Sequence, residues 1–82
     1  MRLPRGLSGD EVAKLLARYY GYRTVRTRGS HMTVSLTVGA DTHSVTVPRH
    51  RDVRVGTLDA IAGDVARFLG LSKRDVRETL FG

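Results

Sequence analysis

Residues 31–38 alternate strictly between polar and apolar side chains, and this alternation constrains the fold more than any other feature of the chain. Four apolar side chains share one face of the predicted strand, namely Met32, Val34, Leu36 and Val38. The opposite face is polar and begins at His31. Such a strand needs partner strands for its backbone and a covering layer for its apolar face, so the chain should contain a sheet that is covered on one side.

Two further runs predict the partner strands. Residues 22–28 are rich in Tyr, Thr and Val and end at Gly29, and residues 43–47 place Val45 and Val47 on one face before Pro48. The turns between the three runs are short and contain glycine. Such connections predict an antiparallel, three-stranded meander.

A helical pattern precedes the predicted sheet. Ser8 and Glu11 are spaced as a capping box, in which each side chain accepts a hydrogen bond from the backbone of the other residue. The apolar residues after them recur at helical spacing until Gly21, which suits a helix end: Val12, Leu15, Leu16 and Tyr19. This pattern predicts an amphipathic helix of about ten residues.

Two more helices are predicted after a polar loop over residues 49–56. Thr57 is placed as the N-cap of the first, whose apolar residues recur at helical spacing up to Gly70: Leu58, Ile61, Ala62, Val65, Phe68 and Leu69. Ser72 is placed as the N-cap of the second, in which Val76 and Leu80 face the core.

The predicted order of elements is therefore α-β-β-β-α-α, an α+β fold whose helices cover one face of a three-stranded antiparallel sheet. We expect one domain over residues 1–82, with residues 1–6 as a flexible N-terminal extension. The polar sheet face, with His31, is then open to solvent or to a ligand. A core of this size favours further stabilisation by a partner or by oligomer contacts.

The composition excludes several kinds of chemistry. The chain has no cysteine, so it can hold no disulfide, no thiolate zinc site and no thiol nucleophile. The sequence shows no metal-ligand cluster and no glycine-rich nucleotide loop, and we expect no metal and no other cofactor. It also contains neither an apolar run near the roughly 20 residues of a membrane span nor a signal-peptide pattern, so we expect a cytoplasmic protein.

The basic residues are numerous and unevenly placed. Fourteen basic and eight acidic side chains give a formal net charge of +6, and the whole excess lies in residues 1–54, because residues 55–82 are balanced. Twelve of the basic residues are arginine, whose planar guanidinium can bind a phosphate through two hydrogen bonds. The pattern indicates a polyanionic partner, with nucleic acid first; the alternative is a small protein that is simply basic.

Gly29-Ser30-His31 is the first candidate site. His31 begins the polar strand face directly after a glycine turn and after Arg26 and Arg28. A neutral imidazole can accept a proton near physiological pH, and RNA supplies its own nucleophile in the 2′-hydroxyl group. One histidine among arginines could therefore catalyse RNA cleavage; the alternative is a surface histidine at a strand end.

The loop after the third predicted strand is the second candidate site. Pro48 ends the strand and is followed by Arg49, His50 and Arg51. These residues predict either a phosphate-binding loop or a solvated charged loop. His43, inside the third strand, is expected to take no part in either site.

Residues 58–80 offer a third candidate, because a helix, a glycine turn, a serine cap and a basic helix resemble a helix-turn-helix. Its phosphate contacts would be Arg67, Lys73, Arg74 and Arg77. The balanced charge of this region argues against the interpretation, since a DNA-reading element should carry the basic excess.

Together these segments resemble the HicA (YcfA-like) family of toxin–antitoxin ribonucleases, from about Leu7 to the C-terminus. An ordered set of short motifs carries the resemblance: the opening helix over residues 8–16, Tyr20-Gly21-Tyr22, Arg28-Gly29-Ser30-His31, Val47-Pro48-Arg49-His50 and Gly56-Thr57-Leu58. Met32 departs from the family pattern, in which a second histidine or an aromatic residue often follows the motif histidine.

The resemblance implies a fold like the double-stranded-RNA-binding fold and a metal-independent endoribonuclease that cleaves mRNA. It implies neutralisation by a HicB-type antitoxin, in a hetero-oligomer, with a homo-oligomer also open. It assigns the catalytic role to His31, and the expected RNA-binding residues are Arg26, Arg28, Gly29, Ser30, Arg49, His50 and Arg51. Gly29 is expected to allow close approach of the RNA chain. Two alternatives stay open: a non-catalytic RNA-binding module, and a helix-turn-helix DNA-binding regulator that uses residues 58–80.

Overall fold

The computed structural model describes residues 3–82, and its elements follow the predicted order. The helices are α1 (Gly9–Tyr20), α2 (Val55–Leu69) and α3 (Lys73–Phe81), and the strands are β1 (Arg23–Arg28), β2 (His31–Val38) and β3 (Asp41–Pro48). The predicted α+β class with a three-stranded antiparallel sheet is confirmed.

The three strands form one sheet in the order β1-β2-β3. β2 pairs with β3 without interruption, from His31 opposite Pro48 to Val38 opposite Asp41. β1 pairs with β2 in a register that shifts between Thr24 and Arg26. This shift is a β-bulge, in which β1 contains one more residue than the stretch of β2 that it faces.

The core lies between one face of the sheet and the three helices. The buried side chains of the sheet are Met32, Val34, Val45 and Val47, and those of the helices include Val12, Leu16, Leu58, Ile61, Val65, Val76 and Leu80. The alternation over residues 31–38 therefore predicted the buried face of β2 at its first positions. Met32, the departure from the family pattern, is one of these core residues.

Two residues predicted on apolar faces are exposed. Val38 is 52% exposed, because it stands in the last pair before the β2–β3 turn. Tyr19 is 46% exposed, with the Arg18 guanidinium 5.5 Å from its ring centroid. Tyr20 packs against the core instead, since it follows Leu16 by four residues and shares its helix face.

The helix N-caps are local features, and two of the three predicted N-caps are confirmed. The Glu11 N–H donates to Ser8 Oγ (3.1 Å) and the Ser8 N–H donates to Glu11 Oε1 (3.0 Å), which completes the capping box at α1. Hydrogen bonding of the Glu11 carboxylate to the Ser8 backbone N–H, and secondly to the Ser8 side chain, lowers the pKa of Glu11. At α3, the Asp75 N–H donates to Ser72 Oγ over 3.0 Å.

The predicted Thr57 cap is wrong, because α2 begins three residues earlier than predicted, with Arg54 at its N-cap and no side-chain cap. Val53 and Leu58, the residues at the N′ and N4 positions, are both fully buried in the core. This pair corresponds to a hydrophobic staple, which fixes the entry of the chain into the helix. Tertiary burial of Val53 thus sets the start of α2.

The segment before α1 lies against the domain where the structure describes it. Leu3 is a member of the core, and the Gly6 N–H donates to Asp52 Oδ1 over 2.9 Å. The Val53 N–H donates to the Leu7 carbonyl over 2.7 Å. Residues 1 and 2 of the predicted extension lie outside the described residues.

One polar contact crosses the edge of the core. Tyr22 is 1% exposed, and its hydroxyl oxygen lies 2.7 Å from His43 Nδ1. The His43 ring stacks on the Phe68 ring, with 4.9 Å between the ring centroids. Burial, with smaller contributions from Asp64 and Tyr20, raises the pKa of Tyr22 to about 12. The hydrogen bond between Tyr22 and His43 joins β3 to the residue before β1, and the ring stacking joins β3 to α2.

Tyr22→Phe should make the protein less sensitive to alkali. The folded-state pKa of about 12 exceeds the ordinary tyrosine value, so the neutral phenol stabilises the folded state, fully so below about pH 10 and progressively less as the pH rises through 12. In urea denaturation, we expect a smaller fall in the free energy of unfolding between about pH 9 and pH 11.5 for the variant than for the wild type. Equal falls would contradict this.

Candidate nucleic-acid interface

The open face of the sheet carries His31 beside basic residues. His31 is exposed and stands first in β2, paired with Arg28 on one side and with Pro48 on the other. Arg26 pairs with Thr33, the next residue of β2 on the same face. Directly opposed residues of antiparallel strands have Cβ atoms about 4.5–5.5 Å apart, so the Arg28 side chain can reach a group bound at His31.

A two-residue turn presents His31 at this position. Gly29 and Ser30 connect Arg28 to His31, and Gly29 has a φ of 57°, in the left-handed region that a type II′ turn requires at its first central position. Glycine adopts this φ without strain, which gives Gly29 a structural role in the hairpin. A Cβ built at Gly29 would meet no atom within 4 Å, so the turn is open on its outer side.

Backbone hydrogen bonds join the two motif segments that the sequence singled out. The N–H of Arg49, directly after β3, donates to the Ser30 carbonyl over 2.6 Å. The N–H of Gly9 donates to the His50 carbonyl over 2.9 Å and connects the same loop to the start of α1. The Gly-Ser-His turn, the basic loop and the beginning of α1 therefore meet at one end of the sheet.

A shallow cleft of about 360 Å³ lies at this junction. Its lining combines five of the predicted site residues with two from the start of α1: Gly29, Ser30, Arg49, His50, Arg51, Ser8 and Asp10. His31, Arg26 and Arg28 lie on the adjoining sheet face instead. The predicted residues thus form two neighbouring groups, one on the sheet face and one in the cleft.

Asp10 is a cleft residue that sequence reasoning missed. Its Oδ1 lies 3.2 Å from Arg49 Nε, and the two side chains are 57% and 46% exposed. An exposed pair of this kind contributes about 0–1 kcal/mol, but it offsets the charge of Arg49 and holds the guanidinium beside α1. The capping box drew attention only to Ser8 and Glu11, and no local pattern relates Asp10 to a residue 39 positions away.

The ion pairs within residues 3–82 divide the basic side chains into two sets. Every basic residue of α2 and α3 is paired with an acidic residue of the same two helices: Arg67 with Asp64, Lys73 and Arg77 with Asp59, and Arg74 with Glu78. Arg26, Arg28 and Arg51 take part in none of these pairs. Positive charge is therefore available on the sheet face and in the cleft, whereas the C-terminal helices neutralise their own.

A comparison with known protein families found a match to most of the residues that form this interface. The family model described as "HicA toxin of bacterial toxin-antitoxin" matches residues 9–67, which is more than half of the chain. The chain belongs to the HicA toxin family. A search of curated proteins and a search of solved structures each found no match.

The match covers the candidate interface of this HicA-family protein except Ser8. It runs from Gly9, the first residue of α1, to Arg67 in α2, and so includes His31 together with every predicted RNA-binding residue. The resemblance in the sequence extends to the C-terminus, but the matched residues end before α3. Membership of the family places the protein in a toxin–antitoxin system.

Residues 3–82, the part of this HicA-family protein that the structure describes, contain no group of three or more histidine, aspartate or glutamate side chains placed to hold a metal ion. None of the helices described there combines the length and the apolar character needed to cross a membrane.

Gly9→Ala should destabilise the protein and disturb the cleft. A Cβ on Gly9 would overlap the Pro48 carbonyl, so the end of β3 and the loop at His50 would have to move. Overpacking of this kind costs about 1–3 kcal/mol, measurable by chemical denaturation. Gly56→Ala is the matched control, because its Cβ meets no atom within 4 Å. If both substitutions changed the free energy of unfolding equally, helix propensity, and not the contact with Pro48, would explain the change.

Proposed function

We propose that this HicA-family protein is a toxin that cleaves mRNA as a metal-independent endoribonuclease, with His31 as the catalytic residue. The position of His31 is the main support: it is exposed, follows a tight turn, and faces Arg28 across the β1–β2 pair. A proton acceptor beside an arginine without an acidic partner is the arrangement that the chemistry of RNA cleavage requires.

The proposed reaction uses the 2′-hydroxyl group of the substrate as the nucleophile. An imidazole nitrogen of His31 takes the hydroxyl proton while the 2′ oxygen forms a bond to the adjacent phosphorus. The bond from phosphorus to the 5′ oxygen breaks, and this oxygen takes a proton from water. The products end in a 2′,3′-cyclic phosphate and a 5′-hydroxyl, and Arg28 stabilises the negative charge that develops on the phosphoryl oxygens.

The remaining predicted residues would bind the RNA backbone on either side of His31. Arg51 and His50 are exposed in the cleft, and Arg49 lies there paired with Asp10. Ser30 is exposed in the turn and lines the same cleft. Contacts to phosphate position an RNA strand without reading its bases, so this group would hold the strand while His31 acts.

The antitoxin is proposed to be of the HicB type and to act in the cytoplasm, where the mRNA substrate is found. The uncompensated arginines of the sheet face would attract an acidic segment of such a protein, and that segment would then exclude RNA from His31. The small core is consistent with further stabilisation in this complex.

The two alternative functions make different demands on the structure. A helix-turn-helix regulator would need free basic residues on α2 and α3, but all four are ion-paired within those helices. A non-catalytic RNA-binding module would use the same sheet face and would differ only in leaving the RNA intact. The decisive observation is therefore cleavage, not binding.

His31→Ala should abolish toxicity and RNA cleavage. Induction of the wild type should arrest growth and deplete mRNA, whereas the variant should do neither, because it lacks the proton acceptor. In vitro, loss of a general base reduces the rate by about 10²–10⁴-fold, and the fragment ends can be identified by mass spectrometry. Thr79→Ala, an exposed position on α3, is the control for expression and folding.

Each contrary outcome is informative. Equal toxicity of the His31→Ala variant would exclude His31 as the catalyst. A wild-type protein that binds a long RNA but leaves it intact after prolonged incubation would be the non-catalytic module. Cleavage of a substrate whose 2′-hydroxyl groups are replaced by hydrogen would exclude the proposed nucleophile.

A further inference from the structure

β1 places three arginines on the open face of the sheet. Arg28 pairs with His31, Arg26 pairs with Thr33, and Arg23 pairs with Ser35. Cross-strand partners share a face, and His31, Thr33 and Ser35 alternate along β2, so all three arginines lie on the His31 face. All three are exposed, and none takes part in an ion pair in the part of the chain that the structure describes.

The β-bulge decides the position of Arg23. If the register of Arg26 and Arg28 continued along β1, Arg23 would stand opposite Leu36, on the face that the helices cover. The extra residue, Val25, shifts Arg23 opposite Ser35 instead. Without the bulge, Arg23 would lie on the opposite sheet face from Arg26 and Arg28. With the bulge, all three arginines lie in one row on the open face.

The surface beside these arginines carries hydroxyl side chains and no carboxylate. The neighbouring positions of β2 and β3 carry hydroxyl side chains that bond in pairs across the strands, Ser35 to Ser44 (2.7 Å) and Thr37 to Thr42 (2.9 Å). The acidic residue of β3, Asp41, pairs with Val38 and so lies on the opposite face. A polyanion lying on the open face would therefore meet no carboxylate.

We propose that Arg28, Arg26 and Arg23, here called the arginine row, bind successive phosphates of one RNA strand that extends along β1 from the cleavage site at His31. The proposal rests on the function proposed above and adds a direction and a length to the binding site. The partners of the row on β2 are two residues apart, so adjacent arginines stand about 7 Å apart along the strand direction. An extended RNA strand can place successive phosphates at a comparable spacing.

The chemistry at His31 favours a single strand over a duplex. Attack by the 2′ oxygen requires that oxygen, the phosphorus and the leaving 5′ oxygen to come into line, which an unpaired nucleotide can do and a regular A-form helix prevents. The open face carries no aromatic ring except the His31 imidazole, so it offers no platform on which bases stack. The arginine row therefore holds the backbone and does not select the base.

The test measures RNA binding, in a His31→Ala background that leaves the RNA uncut. The probe is a fluorescent single-stranded RNA oligonucleotide, and its affinity is measured over a range of salt concentrations. For single strands, each phosphate neutralised contributes a slope of about −0.7 in a plot of log K against log salt concentration. Arg23→Gln should therefore make the slope shallower by about 0.7, with unchanged thermal unfolding.

Two controls separate the arginine row from overall charge. Lys14→Gln removes one exposed positive charge from α1, in the layer on the other side of the sheet, and should leave the slope as in the background protein. The double substitution Arg23→Thr and Thr24→Arg keeps the net charge but moves the guanidinium to the position opposite Val34, on the covered face. This double variant should make the slope shallower by the same amount as Arg23→Gln does.

Oligonucleotides of increasing length give an independent measurement. Affinity should rise as nucleotides are added on one side of the position bound at His31 and stop rising once three phosphates are present. Arg23→Gln should bind the shortest members as well as its parent does. A duplex of the same sequence should bind more weakly than the single strand.

The results that would overturn the arginine row differ from those that would overturn the proposed function. Three results would each exclude the row. The first is a change of slope in Lys14→Gln equal to that in Arg23→Gln, and the second is a slope unchanged by Arg23→Gln or by the charge-conserving double substitution. The third is tighter binding of the duplex than of the single strand. If the row is found but the wild type never cleaves RNA, the row stands and the proposed ribonuclease fails. If cleavage depends on His31 but the slope does not depend on Arg23, only the row fails.

Discussion

Burial of one face of the sheet is the constraint on which the rest of the structure depends. Met32 and Val34 must face the helices, because apolar surface removed from water stabilises the fold by about 25 cal/mol per Å². Alternation then places His31 and Thr33 on the other face. Of the two sheet faces, only this one can accommodate unpaired arginines, since an unpaired buried charge costs several kcal/mol. The core and the basic open face are two consequences of one alternation.

The start of α1 borders the open face at the end of the sheet where His31 lies. Gly9 lies so close to the Pro48 carbonyl that no side chain fits between them, and its N–H bonds to the His50 carbonyl. This contact fixes the loop after β3 beside the β1–β2 turn and brings Asp10 to Arg49. The cleft and the His31 face thus adjoin because backbone hydrogen bonds join the loop after β3 both to the start of α1 and to the β1–β2 turn.

The distribution of charge follows from the same architecture. The C-terminal helices pair their basic residues with their own carboxylates, partly through positions three or four residues apart such as Arg67 with Asp64. β1 has no acidic residue with which to do this, and its arginines stay free. Three of the positive charges behind the net charge of +6 are therefore presented together on one face of the sheet, where the proposed RNA and an acidic competitor would both bind.

The sequence by itself determined the features that depend on residues close together in the chain: the capping box at Ser8, the alternation along β2, the glycine turns and the Ser72 cap. It also singled out His31 and the loop at Arg49, because their motifs are contiguous. Only the tertiary structure decided the start of α2, the pairing of Asp10 with Arg49 and the face on which Arg23 lies. Each of these depends on contacts or strand registers between distant segments, which local periodicity does not encode.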